Sequence, residues 1–195
     1  IKLPYSTGLI WSYCLQNKTI KDNYDLKGWF YKRESAEDIL KKIHNPDVIA
    51  LSNFVWNTQL NHKLAKEIKK KYPKCKVIFG GLGNPNKNRL DNFLEENDYI
   101  DIVVNGEGEL TFEHILIESL KDEPNYKNVE GISTKDFITN DRQRIKDIDS
   151  MPSPYLDGLF DKLTLSSDET FEAPIESVRG CPYQCTFCEI GDKYF

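Results

Sequence analysis

Three short apolar segments of the chain each end in asparagine or glycine. They comprise residues 47–52, 76–79 and 99–104, which are followed by Asn53, Gly80–Gly81 and Asn105–Gly106. Continuous runs of β-branched and aromatic residues of this length are typical of strands that are buried on both faces. We therefore predict one buried strand in each segment.

Amphipathic segments lie between and beside these predicted strands. From residue 57 to residue 72 the apolar positions recur every three or four residues, and Pro73 ends the pattern, which predicts a helix. Similar patterns predict helices around residues 8–14, 39–43, 90–94 and 112–120, and the string from Ser35 to Asp38 is typical of a helix start. Strands that alternate with helices predict an α/β fold with a doubly wound parallel sheet.

The segments that follow the predicted strands are candidate ligand-binding loops, because such sheets bind ligands beyond the carboxyl ends of their strands. Glycine permits a close approach of the backbone to a ligand, and a helix that follows favours phosphate at its N-terminus. For Gly80 to Gly83 an ordinary strand-to-helix turn is an equally good interpretation. The candidate binding residues are Asn53, Gly80, Gly81, Gly83, Asn84, Gly106, Glu107 and Gly108.

The alternation of predicted strands and helices ends at about residue 125. We expect residues 1–125 to form the α/β domain, and residues 126–170 to hold a β-hairpin and a linker that contains Pro152 and Pro154. The last segment, residues 171–195, begins with a predicted strand at residues 173–180 and continues directly into a loop rich in cysteine.

Composition and charge exclude several classes of protein. The chain has 195 residues, of which 39% are apolar and 29% are charged, as is typical of a globular protein. No apolar run approaches the roughly 18 residues of a membrane span, so we expect no membrane partner. The net charge of −5 argues against a nucleic acid partner. The first residues do not resemble a signal peptide, so we expect the cytoplasm.

Three of the five cysteines lie close together, in the spacing C-x3-C-x2-C: Cys181, Cys185 and Cys188. Three thiolates on one loop can hold three irons of a 4Fe–4S cluster, whereas a cluster that only transfers electrons normally takes four. The fourth iron would then keep an open position. A zinc site would need a fourth ligand that is not evident in the sequence, and chance clustering is a poor explanation.

The string from Arg179 to Cys188 resembles the signature of radical S-adenosylmethionine (radical SAM) enzymes, C-x3-C-x-aromatic-C, with Phe187 as the aromatic residue. The resemblance implies that the three cysteines ligate the cluster, that the open iron binds S-adenosylmethionine, and that Phe187 lies near the adenine. It also implies a 5′-deoxyadenosyl radical, a reductant such as flavodoxin or ferredoxin, and a small-molecule or peptide substrate. The loop would follow the first strand of a (β/α) barrel.

The preceding residues resemble the cobalamin-binding, flavodoxin-like domain found before many radical SAM barrels. The resemblance rests on Gly80–Gly81 with Asn84, and on residues 106–109 with Thr111 and Phe112 after them. It implies that these loops line the cobalamin. The chain lacks the Asp-x-His-x-x-Gly string whose histidine ligates cobalt in many cobalamin proteins. Either the domain binds cobalamin without a histidine ligand to cobalt, or it binds no cobalamin.

Two functions from different classes follow. The first is the N-terminal part of a radical SAM enzyme, which would perform methyl transfer or a rearrangement. The second is a non-catalytic module for cofactor sensing or docking, with a residual cysteine loop. We expect the 195 residues alone to be inactive, because a barrel typically needs about 200 residues or more. We also expect residues from about Phe171 onward to be poorly ordered, or to borrow contacts from the first domain or from another molecule.

Overall fold

The computed structural model describes residues 1–85 and 87–181, together with residues 183, 185 and 186. The described residues form one sheet, whose strands are β1 (Val48–Ser52), β2 (Lys76–Gly80), β3 (Ile102–Val104) and β4 (Ile132–Ser133). Their spatial order is β1-β2-β3-β4. Strands β1, β2 and β3 pair in parallel, with Val48 opposite Lys76 and Ile78 opposite Ile102. The three strands predicted from the apolar segments are therefore confirmed.

Strand β4 departs from the prediction of a parallel sheet, because it pairs antiparallel to β3. The chain enters β4 through Gly131, whose φ is 77°. The carbonyl oxygen of Gly131 accepts a hydrogen bond from the backbone of Asn105, at the end of β3. This turn makes β4 an antiparallel edge strand, which is common on otherwise parallel sheets. The sheet is mixed, and its strands follow chain order without the reversal of a doubly wound sheet.

Helices cover both faces of the sheet, as the α/β prediction requires. The described residues form α1 (Tyr5–Cys14), α2 (Lys18–Asn23), α3 (Ala36–Lys42), α4 (Thr58–Lys71), α5 (Leu90–Glu96), α6 (Glu109–Ser119) and α7 (Asp161–Leu165). Buried residues of α3, α4 and α5 form one core with Val77 and Phe79 of β2. Ile78, which points to the opposite face, packs with Ile115 of α6. The alternation along β2 thus separates the two cores.

The start of α3 and the end of α4 agree with the predicted boundaries, whereas α1 and α6 begin three residues before the predicted apolar patterns. The side chain of Ser35 caps α3 by accepting a hydrogen bond of 3.1 Å from the backbone of Asp38, as expected for a helix start of this type. Helix α4 ends at Lys71, just before Pro73. Its buried residues include Leu64, Ala65 and Ile68, so the apolar face lies inward.

The predicted hairpin after residue 125 is present and packs on the sheet. Ser133 forms an antiparallel bridge with Ile138, and the backbone of Thr139 donates to the carbonyl oxygen of Ile132 at 3.0 Å. Val129 and Ile132 are buried with the β3 residues of the second core. The hairpin therefore extends the α/β unit, and the three-segment division of the chain stays a prediction.

The strand predicted at residues 173–180 is wrong for this structure. The described residues there form no strand, and Ile175 and Val178 are exposed. A strand needs a neighbour for its backbone hydrogen bonds, and here only Glu172 finds one, in a parallel bridge with Lys2. The described residues of this segment borrow contacts from the first domain instead, which is one of the expected outcomes. The (β/α) barrel itself stays a prediction.

In the part of the chain that the structure describes, every helix is too short or too polar to cross a membrane.

Candidate cofactor site

An asparagine network ties together the ends of β1 and β2. The buried side chain of Asn53 donates through Nδ2 to Oδ1 of Asn84 at 3.1 Å. From helix α4, Nδ2 of Asn61 donates to Oδ1 of Asn53 at 3.3 Å and to the carbonyl oxygen of Ser52 at 3.1 Å. The structure thus brings two predicted binding residues together, and their amide groups form hydrogen bonds that stabilise the turns at these strand ends.

Glycine is required at two positions of this turn. The φ of Gly81 is 91°, and a Cβ there would lie 2.7 Å from the carbonyl oxygen of Asn53. A Cβ at Gly83 would lie 2.7 Å from Cα of Phe54, closer than side chains tolerate. The ordinary-turn interpretation therefore accounts for Gly81 and Gly83. At Gly80 a Cβ would meet only Val104, at 4.0 Å. Contact of these glycines with a cofactor stays a prediction.

An exposed aromatic surface lies directly beyond β1. The rings of Phe54 and Trp56 stack with centroids 4.7 Å apart and planes 3° from parallel. Trp56 is 77% exposed and the intervening Val55 is 82% exposed. We call residues 54–56 the aromatic patch. None of its residues is among the predicted binding residues, although the apolar string that continues past Asn53 is visible in the sequence. Exposed apolar surfaces of this kind mark binding sites.

The loop after β3 forms the next part of the site. The φ of Gly106 is 84°, and a Cβ there would meet nothing within 4 Å, so this backbone faces open space. The side chain of Glu107 accepts a hydrogen bond of 2.7 Å from the backbone of Ile145. A Cβ at Gly108 would lie 2.8 Å from Cδ1 of Ile10. Of the three predicted residues here, Gly106 is the one whose backbone is open to a ligand.

An ion cluster joins this loop to the segment before the cysteines. Nη2 of Arg179 lies 2.5 Å from Glu109 Oε1 and 3.0 Å from Glu176 Oε2, and Nη1 lies 3.6 Å from Glu107 Oε1. Burial opposes the charged guanidinium, but the hydrogen bonds and charges of Glu176 and Glu109 more than offset it and raise the pKa of Arg179. Arg179 and Glu109 were also missed as site residues, because 70 positions separate them in the chain.

The cysteines fall into two environments. Burial raises the pKa of the Cys14 thiol, and it raises the pKa of Cys75 to about 11. Both therefore remain neutral thiols, which are poor metal ligands. Cys181 is half-buried and Cys185 is exposed, so both are accessible to iron. Cys188 and Phe187 lie outside the described residues.

The histidines lie away from the strand ends that form the site. His62 of α4 is hydrogen-bonded through Nδ1 to the hydroxyl of Tyr99 at 2.6 Å. His114 of α6 contacts Arg142 through Nδ1 at 3.0 Å. Burial lowers the pKa of both imidazoles, and nearby Lys66 and Arg142 lower them further. His44 is exposed and precedes β1, so it lies at the opposite end of that strand.

These parts line one open cleft of about 2550 Å³, well above the roughly 300–1,000 Å³ of a drug-sized ligand site. Its lining residues include Ser52, Phe54, Trp56, Gly106, Glu107 and Arg179. The cleft therefore connects the aromatic patch, the loop after β3 and the segment that leads into Cys181. The cleft also runs to the opposite end of β1, where His44 and Asp47 line it. The part of the cleft beyond the carboxyl ends of the strands lies where open α/β sheets bind ligands.

Comparison with known proteins agrees with this geometry. Residues 24–116 match the family model of the B12 binding domain. Over 196 aligned residues the chain is 36% identical to the cobalamin-dependent radical SAM methyltransferase TokK of Streptomyces tokunonensis. It is 35% identical to 2-(S-pantetheinyl)-carbapenam-3-carboxylate methyltransferase of Streptantibioticus cattleyicolor. Both alignments cover 97% of this chain and 28% of the relative.

A further relative is the hopanoid C-3 methylase of Methylococcus capsulatus, which is 28% identical over 185 residues, or 88% of this chain and 33% of that protein. The fold is α/β, and residues 24–116 within it match the B12 binding domain. Over almost its whole length the chain is similar to a protein named as a cobalamin-dependent radical SAM methyltransferase, which together with the B12-binding match confirms the resemblance seen in the motifs. The chain spans less than a third of the length of the first two relatives.

Proposed function

We propose that this chain forms the cobalamin-binding and cluster-binding part of a radical SAM methyltransferase. The observation that carries the proposal is the single cleft, because the aromatic patch and the residues before Cys181 open onto the same space. Two cofactors that act on one reaction need such a shared space. The names of the three relatives, each a methyltransferase or methylase, favour methyl transfer over rearrangement.

The aromatic patch and the loop after β3 would hold the cobalamin. The stacked rings of Phe54 and Trp56 offer a flat apolar surface to a macrocycle. Gly106 offers a backbone that faces open space, and Asn53 and Asn84 keep the adjoining turn in place. Because the strand ends described here carry no histidine, we propose that this chain supplies no axial imidazole to cobalt.

The cysteine loop would hold the 4Fe–4S cluster and, through it, S-adenosylmethionine. Cys181 is half-buried and Cys185 is exposed, so iron can reach both residues from solvent. Cys188 would be the third ligand, and Phe187 would lie near the adenine. When bound, the reduced cluster supplies the electron that cleaves the sulfonium bond of S-adenosylmethionine, and cobalamin supplies a carrier for the methyl group.

The partners follow from this chemistry. A reductant such as flavodoxin or ferredoxin would deliver electrons to the cluster through the exposed side of Cys185. The substrate would be a small molecule or a peptide that enters the open cleft. The barrel that is expected to follow the cysteine loop would close the site, since the loops of several barrel strands normally build it.

The proposal is tested by the formation of 5′-deoxyadenosine in the complete protein. After anaerobic reconstitution, incubation with S-adenosylmethionine, cobalamin and a strong reductant is expected to give this product. Cys185→Ala is expected to abolish it, whereas Cys14→Ala, at a buried thiol, is expected to retain it. Cobalamin binding without any nucleoside product would contradict the enzyme and support the docking module.

A further inference from the structure

Residues 170–181 are held to the α/β domain at separate points along the segment. The backbone of Leu3 donates to Glu172 at 3.0 Å, and the backbone of Glu172 donates to Ile1 at 2.9 Å. The hydroxyl of Tyr155 donates to the carbonyl oxygen of Pro174 at 2.5 Å. After Pro174 no strand pairing holds the described residues up to 181. The approach to Cys181 is then constrained by the side chain of Arg179 and by a hydrogen bond of 3.4 Å that Nη2 of Arg144 donates to the carbonyl oxygen of Arg179.

The contacts of Arg179 are well shielded and have a defined geometry. Its side chain is 12% exposed, and that of Glu109 is 6% exposed. Nε and Nη2 both donate to Glu176 Oε2 at 3.0 Å, while Nη2 also donates to Glu109 Oε1. A guanidinium that donates through several N–H groups to carboxylates fixes orientation as well as distance. Lysine, with a single ammonium group, does not reproduce this arrangement.

The carboxylates that Arg179 meets belong to the loop that lines the cleft. Glu107 follows Gly106 directly, and Glu109 begins α6. The same Glu107 oxygen that faces Arg179 also faces Nε of Arg144 at 3.6 Å, so the linker holds this loop from a second side. One guanidinium thus connects the loop after β3 to a position two residues before Cys181.

We propose that Arg179 is a positioning residue that fixes Cys181 against the loop after β3 and thereby sets the separation between the cluster and cobalamin. This inference rests on the function proposed above. Arg179 does not touch the reacting groups, because it acts through Cys181 on one side and through Glu107 and Glu109 on the other. Loss of either partner removes this defined geometry. The approach to Cys181 is then attached through residues 170–174 and through the longer hydrogen bond of 3.4 Å from Nη2 of Arg144 to the carbonyl oxygen of Arg179, and the separation of the cofactors varies.

The test is a magnetic distance measurement on the complete protein, reconstituted with iron, sulfide and Co(II) cobalamin. Pulsed electron paramagnetic resonance compares the relaxation of Co(II) when the cluster is oxidised and diamagnetic with that when it is reduced and paramagnetic. The reduced cluster enhances the relaxation of Co(II), and this enhancement falls steeply with the distance between cobalt and the cluster. We expect one well-defined enhancement in the wild type. In Arg179→Gln and in Glu109→Gln we expect the relaxation enhancement of Co(II) to fall at least about twofold or to become broadly distributed, while the iron and cobalamin contents stay unchanged.

Arg142→Gln is the matched control, because Arg142 is a comparably shielded arginine that contacts Thr111 and Glu130 rather than the Arg179 cluster. It is expected to lower stability without changing the enhancement. Glu109→Gln decides the outcome if Arg179→Gln loses iron, since Glu109 lies far from the cysteines in the chain. An unchanged enhancement in Glu109→Gln overturns the proposal. A wild type that takes up no iron or no cobalamin refutes the proposed function, and this inference with it.

Discussion

Arg179 and Glu109 form an ion pair of 2.5 Å between the segment before the cysteines and the first residue of α6. The pair lies at the rim of the cleft and links the two regions that the resemblance assigns to different cofactors. Because the carboxylate of Glu109 is almost fully buried, removal of Arg179 would leave this charge without its ion-pair partner, whereas removal of Glu109 would leave Arg179 paired with Glu176 and Glu107. The pair is therefore a structural connection between the two proposed cofactor sites.

The glycines of the two loops are expected to respond differently to the same substitution. Gly83→Ala places a Cβ against backbone atoms of Asn53 and Phe54, so we expect a loss of about 1–3 kcal/mol in the free energy of unfolding. Gly106→Ala meets no atom of the chain and costs only its positive φ, about 1 kcal/mol. Chemical denaturation measures both.

Cobalamin titration separates the roles of these glycines. Gly106→Ala is expected to weaken cobalamin binding, because the added methyl group projects into the cleft, whereas folded Gly83→Ala is expected to bind as the wild type does. Equal affinities in wild type and Gly106→Ala would show that this loop does not approach the cofactor.

Trp56→Ala is expected to weaken cobalamin binding without loss of stability. Trp56 is largely exposed, so the free energy of unfolding should change by less than about 0.5 kcal/mol. Loss of the aromatic surface is expected to raise the dissociation constant roughly tenfold, as about 1.4 kcal/mol of stacking implies. Leu165→Ala, at an equally exposed residue that does not line the cleft, is the control and should bind normally. An unchanged affinity in Trp56→Ala would remove the aromatic patch from the site.

Thiol alkylation of the cluster-free protein tests the division of the cysteines. At pH 8, Cys181 and Cys185 are expected to react rapidly because their sulfur atoms are accessible. Cys14 and Cys75 are expected to react only after unfolding, because burial raises the pKa of both thiols, that of Cys75 to about 11. Mass spectrometry of peptides identifies the modified sites. Rapid modification of Cys14 in the folded protein would contradict the described core.

His62 is expected to make stability depend on pH in mildly acidic solution. Burial, followed by the charge of Lys66, lowers the pKa of His62 below its ordinary value of 6.5. As the pH falls, the unfolded chain therefore binds the proton before the folded chain does. The contribution of His62 to stability is complete above pH 6.5 and is lost as the pH falls through the lower pKa of the folded state. In thermal denaturation, the melting temperature of His62→Gln should depend less on pH below pH 6.5 than that of the wild type. His44→Gln, at an exposed histidine, should retain the wild-type slope.

The elements that the sequence predicted correctly are those set by local patterns. Strands β1 to β3 and helix α4 follow from continuous or periodic apolar positions, and the side chain of Ser35 acts within one helical turn. The antiparallel direction of β4 was not predictable, because it depends on the pairing of Gly131 with Asn105 across the sheet. The string at residues 173–180 has strand-forming residues, but no pattern within it shows whether a neighbouring strand is present.

The site was predicted only in part, for the same physical reason. Glycine and asparagine at strand ends marked the carboxyl edge of the sheet, but their local pattern did not separate turn formation at Gly83 from open backbone at Gly106. The pairing of Arg179 with Glu109 joins residues 70 positions apart, and only the folded chain brings them together. The role of the aromatic patch depends on exposure, which apolar residue type alone does not reveal.

The most direct test of the account is the cofactor stoichiometry of the anaerobically reconstituted complete protein. Iron, sulfide, cobalt and zinc are measured per chain, together with the absorption spectrum. The account predicts about four iron and one cobalamin per chain, with the iron lost in Cys185→Ala and the cobalamin retained. Stoichiometric zinc without iron, or a folded protein that takes up no cobalamin, would contradict it.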